Sequence, residues 1–451
     1  MKRAKGRTAV WATLSVLGAL EACVGHGYIT NPPGRGMDTG GTGPNGTGGE
    51  SSTGGAPGTG GVTATGGRPT MGGSGTGGSG TGGSSMAGTG GTPAAGPDGG
   101  VDTPPRVIRP CGMVGGAVGT WENITPAGIT LNDPANSNGT IAFGLTRRDP
   151  TNIYLGTWKK GVFRSTDCGA TWTRASTGRN SNIVSEGSNW AVAVDPEDVN
   201  TVWVASGYGT SGVFKSTDGG VNWDQMLSAE VVKYAPYGGF VERITVDPTN
   251  NQHVLVSFHG DCTGPWAKVC LAETPDGGKT WRMLKGDNAF SWEDSGQMML
   301  DSKVWFWAQT FGGMWRTDDA GATWKHVYDG PVSEAVGGQI YRDKGGTYFL
   351  GGAFGVIRST DAVNWQLIPN SPRSRALVGD GQRLFTTDKE CPDNTSPCQA
   401  YKTASESDPT KWSTYPSPPM KHGGWVLMYD PDHNILYSSN EWQGFWRVVT
   451  K

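Results

Sequence analysis

With 37 basic against 40 acidic residues over 451, the chain carries a formal charge of -3, which argues against nucleic acid or an anionic membrane surface as its main partner. Only 35% of the residues are hydrophobic, a figure diluted by 74 glycines that lie mostly in one tract. Nineteen tryptophans and seven cysteines stand out against that background.

Met1–Ala22 reads as an export signal. Lys2, Arg3, Lys5 and Arg7 make a basic start, and the apolar run Ala9–Leu20 is too short for the roughly 20 residues that span a bilayer. The run ends Leu20-Glu21-Ala22-Cys23, which resembles the bacterial lipoprotein box in which the cysteine is lipidated. Glu21 departs from the small residue of that box, so ordinary secretion stands as the alternative to lipidation of Cys23. His26-Gly27-Tyr28-Ile29-Thr30 resembles the mature amino terminus of copper-dependent lytic polysaccharide monooxygenases. No matching β-sandwich follows, and a lipidated Cys23 leaves His26 without a free amine, so no copper is expected there. Gly34 to about Pro105 is rich in Gly, Thr and Ser and cannot bury a core. Residues 23–105 are therefore expected to be a disordered tether to an envelope-displayed or secreted domain over 106–451.

From Arg106 the pattern changes to short apolar strands. Trp121 opens one, in Thr120-Trp121-Glu122-Asn123-Ile124. A fixed motif then recurs about every 40 to 60 residues, the mark of a repeat architecture. It reads GVFRSTDCGATWTR at Gly161–Arg174, GVFKSTDGGVNW at Gly212–Trp223, ETPDGGKTW at Glu273–Trp281, GMWRTDDAGATW at Gly313–Trp324 and GVIRSTDAVNW at Gly355–Trp365. An apolar strand enters each copy and another begins at its Thr-Trp. Between them the Asp can accept backbone N–H groups of its own turn, and Gly supplies a positive φ. The Trp is expected to project between neighbouring sheets. The motif is thus a corner brace, its Ser and Asp structural rather than catalytic.

Ahead of most braces an apolar strand ends in Asp-Pro and another follows, as at Asp149-Pro150, Asp195-Pro196, Asp247-Pro248 and Asp430-Pro431. Each unit then holds four strands, and four-stranded units repeated radially are propeller blades. Outer-strand tryptophans at 121, 172, 223, 281, 324, 365 and 412 count seven blades, with six as the alternative. Trp121 lacks a brace before it, and Gly444-Phe445-Trp446-Arg447 lacks a Trp strand after it. The ragged ends should complete one another, the first strand closing the last blade of an all-β, seven-bladed β-propeller.

The braces resemble the Asp-box (BNR) repeat of sialidases, xyloglucan-active glycoside hydrolases, sortilin-type receptors and a photosystem assembly factor, over about Arg106 to Lys451. The xyloglucan hydrolases resemble the blades most, as in Arg243-Ile244-Thr245-Val246-Asp247-Pro248. That resemblance implies two facing propellers with one catalytic Asp on each. Here one propeller is read, and its opening strand Thr140–Leu145 carries no acid. A sialidase is not expected, for there is no Phe/Tyr-Arg-Ile-Pro segment and no arginine triad.

Six cysteines follow Cys23. Cys262 with Cys270, and Cys391 with Cys398, read as loop staples in an oxidising compartment. Cys111 lies just before the closing strand and Cys168 in the next brace, so these two are expected to bond and lock the ring's seam. None has metal-ligand spacing, and neither a metal nor another cofactor is expected.

Function should sit on the face opposite the braces, where loops join strand two to three and strand four to the next blade. The first set offers Trp158, Tyr208, His259, Asp261, Trp266, Phe311, Phe354, Lys389-Glu390 and Glu441-Trp442; the second offers Asn180–Trp190, Tyr234 to Glu242, Trp292-Glu293-Asp294, Arg373 to Arg375 and Lys421 to Trp425. Aromatic faces beside acids and amides suit sugar rings, and Trp158, Tyr208, Trp266, Trp292 and Trp442 are the expected exposed platforms. Glycoside hydrolysis needs paired carboxylates, for which Glu242, Asp261, Glu293 and Asp294 are best placed. His259 and His422 can serve as general acid or base. The expectation is a monomeric, exported carbohydrate-active propeller binding a polysaccharide, and cleaving it if it is a hydrolase or lyase. The alternative is a non-catalytic propeller that docks a protein.

Overall fold

Each brace aspartate closes its own turn in the computed structural model, which describes residues 108–451 apart from 112–115, 132–138, 293–294, 310–311, 333–338, 389–397, 421–423 and 441. Asp167 accepts the Thr171 amide at 2.9 Å and the Thr171 hydroxyl at 2.6 Å. Ser165 donates its hydroxyl to Asp167 at 2.7 Å and accepts the Gly169 amide at 2.7 Å. Asp218, Asp276, Asp319 and Asp361 repeat the arrangement with Asn222, Thr280, Thr323 and Asn364. The Thr280 and Thr323 hydroxyls, then their amides, hold the Asp276 and Asp319 carboxyls down at about 2. These acids stay charged because their turns need the charge.

Seven four-stranded antiparallel sheets result. Blade I comprises Thr140–Leu145, Ile153–Thr157, Val162–Ser165 and Thr173–Arg174, from the axis outward. The inner strands of blades II to VI are Ser188–Val194, Val241–Asp247, Ser295–Met299, Tyr341–Arg342 and Ser374–Gly379. Blade VII takes Val426–Asp430, Ile435–Asn440 and Gly444–Val449 from the end of the chain and Trp121–Asn123 from before blade I. The closing register sets Trp121 opposite Val448, Glu122 opposite Arg447 and Asn123 opposite Trp446. The shared strand expected from the ragged ends is therefore present.

In blades I to VI the outer strand starts one residue later than the motif suggests, at Thr173, Asp224, Arg282, Lys325, Gln366 and Ser413. The tryptophan leaves the ladder because its ring turns into the blade before it. Trp172 of blade I donates its indole N–H to the Ile124 carbonyl at 2.7 Å and meets Phe445 of blade VII edge-on at 5.8 Å. Trp365 of blade V meets Phe306 of blade IV at 5.9 Å. Burying such a ring is worth on the order of 4–6 kcal/mol as an upper bound.

At the seam, Cys111 and Cys168 are bonded with their Cα atoms 5.3 Å apart and a sequence separation of 57. Loop closure of that length contributes about 4 kcal/mol in the chain-entropy account. Arg447 bridges the same place, donating to the Cys168 carbonyl at 2.6 Å and to Glu122 at 2.7 Å. Cys262 and Cys270 are bonded in blade III, as expected from their loop. Cys398 is disulfide-bonded too, and its expected partner Cys391 lies outside the described residues. So do Met1–Ala22, Cys23 and the tether, together with Glu293, Asp294, Phe311, Lys389-Glu390, His422 and Glu441.

Blade III carries a buried charge network on its brace side. His253 Nδ1 lies 2.8 Å from Asp247 and Nε2 lies 2.8 Å from Glu273, which also accepts Arg282 at 2.5 Å. Burial alone would lower the imidazole's pKa, but the hydrogen bonds to both carboxylates outweigh it and raise the pKa to about 9. Against the cost of burial, His253 and its neighbours hold Asp247 and Glu273 below the usual carboxylate range. The imidazolium's contribution is complete below the unfolded value of about 6.5 and is lost as pH rises through about 9. The carboxylates' contribution is lost in the acid range, as pH falls through their depressed values. Urea unfolding should therefore find His253→Gln less stable than the parent by about 3 kcal/mol at most near pH 6, with the gap closing by pH 9 to 10.

Candidate functional site

Loops between second and third strands, and those linking one blade to the next, gather at the end opposite the braces. There the inner strands break their pairing. One extra residue interrupts the register between Thr140 and Phe143 in blade I, at Trp190 in blade II, at Glu242 in blade III and between Ser374 and Leu377 in blade VI. A bulge bends the strand and re-aims a side chain. Here the interruptions set Trp190 and Glu242 on the wall of the axial channel and Arg375 against Trp425. The channel below encloses a cavity of about 340 Å³, walled by inner-strand residues such as Val192, Ile244, Met298 and Val426.

Aromatic rings form a continuous arc around the channel's mouth. Arg375 lies 4.1 Å from the centre of Trp425, and Trp425 meets Trp190 edge-on at 6.3 Å. Trp190 meets Trp158 at 6.3 Å, and Trp158 stacks on Tyr208 at 5.6 Å with 26° between planes. Phe240 follows at 5.0 Å from Tyr208, then His259 at 4.5 Å from Phe240, then Trp292 at 4.9 Å from His259. Tyr237 stands over His259 at 6.4 Å and is 70% exposed.

Polar chemistry sits at one end of the arc. Tyr208 Oη lies 3.3 Å from His259 Nε2, and His259 Nδ1 lies 3.8 Å from Glu242 Oε2. If the phenol donates to Nε2, the imidazole proton belongs on Nδ1, facing the carboxylate. Arg243 follows Glu242 on the same strand; burial draws its guanidinium down to about 10, and the Glu242 charge opposes that fall. Tyr208 holds a left-handed backbone (φ 47°), as does Tyr237 (φ 48°), a conformation costly for aromatic residues and frequent at binding sites.

Among the residues expected from sequence, Glu242, His259, Tyr208, Trp158 and Trp292 come together. Tyr208 is exposed at 40%, whereas Trp158, Trp266, Trp292 and Trp442 are half-buried rather than open platforms. Trp158 leans on Tyr208, Trp266 on the core and Trp292 on His259, and each thereby exposes less apolar surface to water. Trp266 packs on the core of blades II and III, and Asp261 is exposed beside the Cys262–Cys270 staple. Trp190, Phe240, Arg375 and Trp425 lie in the loop segments read from sequence, but nothing in their local sequence marks them out.

The tight approach of Phe240 depends on Gly207, where an added Cβ would come within 2.1 Å of the Phe240 ring. Gly207→Ala should displace Phe240 and the His259 stacked on it, costing about 1–3 kcal/mol. A lower melting temperature together with altered tryptophan fluorescence would register both effects.

No family model matches the chain. It is 26% identical over 259 residues to a xyloglucanase of Hypocrea jecorina, covering 50% of this chain and 30% of that protein. To xyloglucanase Xgh74A of Acetivibrio thermocellus it is 24% identical over 242 residues, covering 47% and 28%. The chain thus spans less than a third of the length of these relatives. Among solved structures, YCF48 bound to D1 peptide aligns with a TM-score of 0.51 and 14% identity, over 76% of this chain and 99% of that one. The molecule is a seven-bladed β-propeller with partial sequence similarity to xyloglucanases.

Proposed function

We propose that this chain is an exported, carbohydrate-active propeller that takes a polysaccharide across the open end of its ring. The observation that carries this reading is the arc from Trp425 through Trp190, Trp158 and Tyr208 to His259, with Glu242 beside its last member. The exposed rings of Tyr208 and Tyr237, backed by the half-buried Trp158 and Trp190, suit the axial C–H faces of sugars, and the acid, imidazole and phenol suit their hydroxyls. The similarity to xyloglucanases over about half the chain supports the same class of ligand.

For chemistry, Glu242, His259 and Tyr208 form the unit able to hold and move a proton. Tyr208 Oη can pass one to His259 Nε2 while Glu242 steadies the charged imidazole. In a hydrolase Glu242 would be one of the two carboxylates, with Glu293 or Asp294, next in the chain after Trp292, supplying the other. In a lyase the phenol and imidazole would suffice as base and acid.

Affinity electrophoresis against plant, fungal and bacterial polysaccharides tests the reading. Trp158→Ala and Tyr208→Ala should each weaken retention of the bound polysaccharide about tenfold. Glu242→Gln should leave retention within a few-fold and cut product release at least a hundredfold. Absence of retention and of products across the whole panel would overturn it and favour a protein-docking role.

Display outside the cytoplasm fits the disulfides, which persist in oxidising compartments. Within this proposal Cys23 is lipidated and residues 23–105 are the tether. Cys23→Ser should move the protein from the membrane fraction to the soluble exported fraction; an unchanged distribution would remove the anchor and leave plain secretion.

A further inference from the structure

Cysteine spacing along the chain suggests no metal site, yet the fold gathers a donor set that spacing does not reveal. The sulfurs of Cys111 and Cys168, a nitrogen of His433 and a carboxylate oxygen of Asp430 all lie within 4.8 Å of one another. They come from three separate stretches that meet at the seam. Cys111 belongs to the segment before the closing strand, Cys168 to the brace of blade I, and Asp430 with His433 to the first turn of blade VII. Cys168 and the Asp430 side chain are fully buried.

The imidazole is already oriented for such a role. His433 Nε2 lies 2.7 Å from the Arg109 carbonyl, and Nδ1 lies 2.6 Å from Asp430 Oδ2. A ligand histidine commonly donates its far N–H to a backbone carbonyl, which fixes the ring and its tautomer. Nδ1 shares a proton with the facing carboxylate oxygen, so a cation entering here would displace that proton and take both atoms. Asp430 Oδ1 meanwhile stays committed to the Asp432 and His433 amides at 2.8 and 3.2 Å. Two thiolates, one imidazole and one carboxylate are the soft and borderline donors that zinc takes in tetrahedral sites. Two thiolates and a carboxylate around a divalent ion leave one negative charge, and the guanidinium of Arg447 stands close, donating to the Cys168 carbonyl at 2.6 Å.

We propose that the seam is a convertible clasp: a Cys111–Cys168 disulfide when oxidised, and a zinc-class divalent cation site of Cys111, Cys168, His433 and Asp430 when reduced. Conversion balances simply. Two equivalents of an external thiol deliver two electrons and two protons to the Cys111–Cys168 bond, giving two cysteine thiols and one external disulfide. The cation then displaces both thiol protons, and the one shared by His433 and Asp430, to solvent, and either state ties the segment before Trp121 to blade I and blade VII.

Cobalt(II) added to the full chain, reduced anaerobically with a phosphine and freed of excess reductant, tests the clasp. The expected result is one tetrahedral cobalt per chain, with thiolate-to-cobalt charge-transfer absorption, displaced by zinc. That absorption should be absent from the oxidised chain and lost in Cys111→Ser and in His433→Gln. The second variant keeps both sulfurs and so reads the donor set rather than the disulfide. Zinc should also raise the melting temperature of the reduced chain and leave that of the oxidised chain unchanged. Absence of cobalt absorption in the reduced parent would overturn the proposal. So would absorption that survives in both variants, because it would then arise from the other cysteine pairs. Should reduction unfold the chain, recovery of its circular dichroism on adding zinc supports the clasp, and failure to recover overturns it.

Discussion

Each sheet of a ring is held by two neighbours, and the ring stays shut only while the last gap is filled. Here the filler is three residues long. Trp121–Asn123 lies against Gly444–Val449, and the apolar contact behind it joins Phe143, Leu155 and Cys168 of blade I to Tyr437 and Phe445 of blade VII. Such a short strand contributes few hydrogen bonds, so the closure leans on everything gathered around it. Trp172 crosses from blade I, Arg447 reaches the Cys168 carbonyl, and the Cys111–Cys168 bond ties the incoming segment. The mouth depends on this closure as well. Its aromatic arc passes from Trp425 of blade VII to Trp190 of blade II and Trp158 of blade I, three rings that meet only if the circle is complete.

The brace end of the molecule was legible from sequence because its chemistry is local. Asp319 binds groups at most four residues away, so the motif carries its own explanation wherever it occurs. The pairing of Cys111 with Cys168 was legible for a related reason: both positions could be placed once the strand order was known. The mouth was less so. Glu242, His259 and Tyr208 were named from their loops, but Trp190 and Arg375 owe their placement to bulges, which shift the alternation of a strand by one and leave no local signature. Half-burial of Trp158 and Trp292 was equally hidden, since it depends on partners from neighbouring blades. His433 has no local signature because its partners Arg109 and Cys111 lie more than three hundred residues away along the chain.

Two kinds of electrostatics divide the protein. On the brace side, carboxylates are answered by donors of their own turn or by an imidazolium, as at Asp276 and at Asp247 with His253. On the mouth side, Glu242 faces an imidazole at 3.8 Å, and that imidazole in turn meets a phenol that remains 40% exposed. Satisfied charge gives rigidity at one end. At the other end the charge is passed through an imidazole to a hydroxyl that solvent can reach.

The order of Cys111 and Trp121 along the chain has a mechanical meaning. A pull arriving from the amino-terminal side reaches Cys111 first and passes through its sulfur to Cys168, in the body of blade I. The short strand beyond it is bypassed and is not peeled from its neighbour. A tension that would unzip three residues one hydrogen bond at a time must instead break a covalent link or lift a whole blade. The ring is thereby shielded from opening under tension that enters ahead of Cys111.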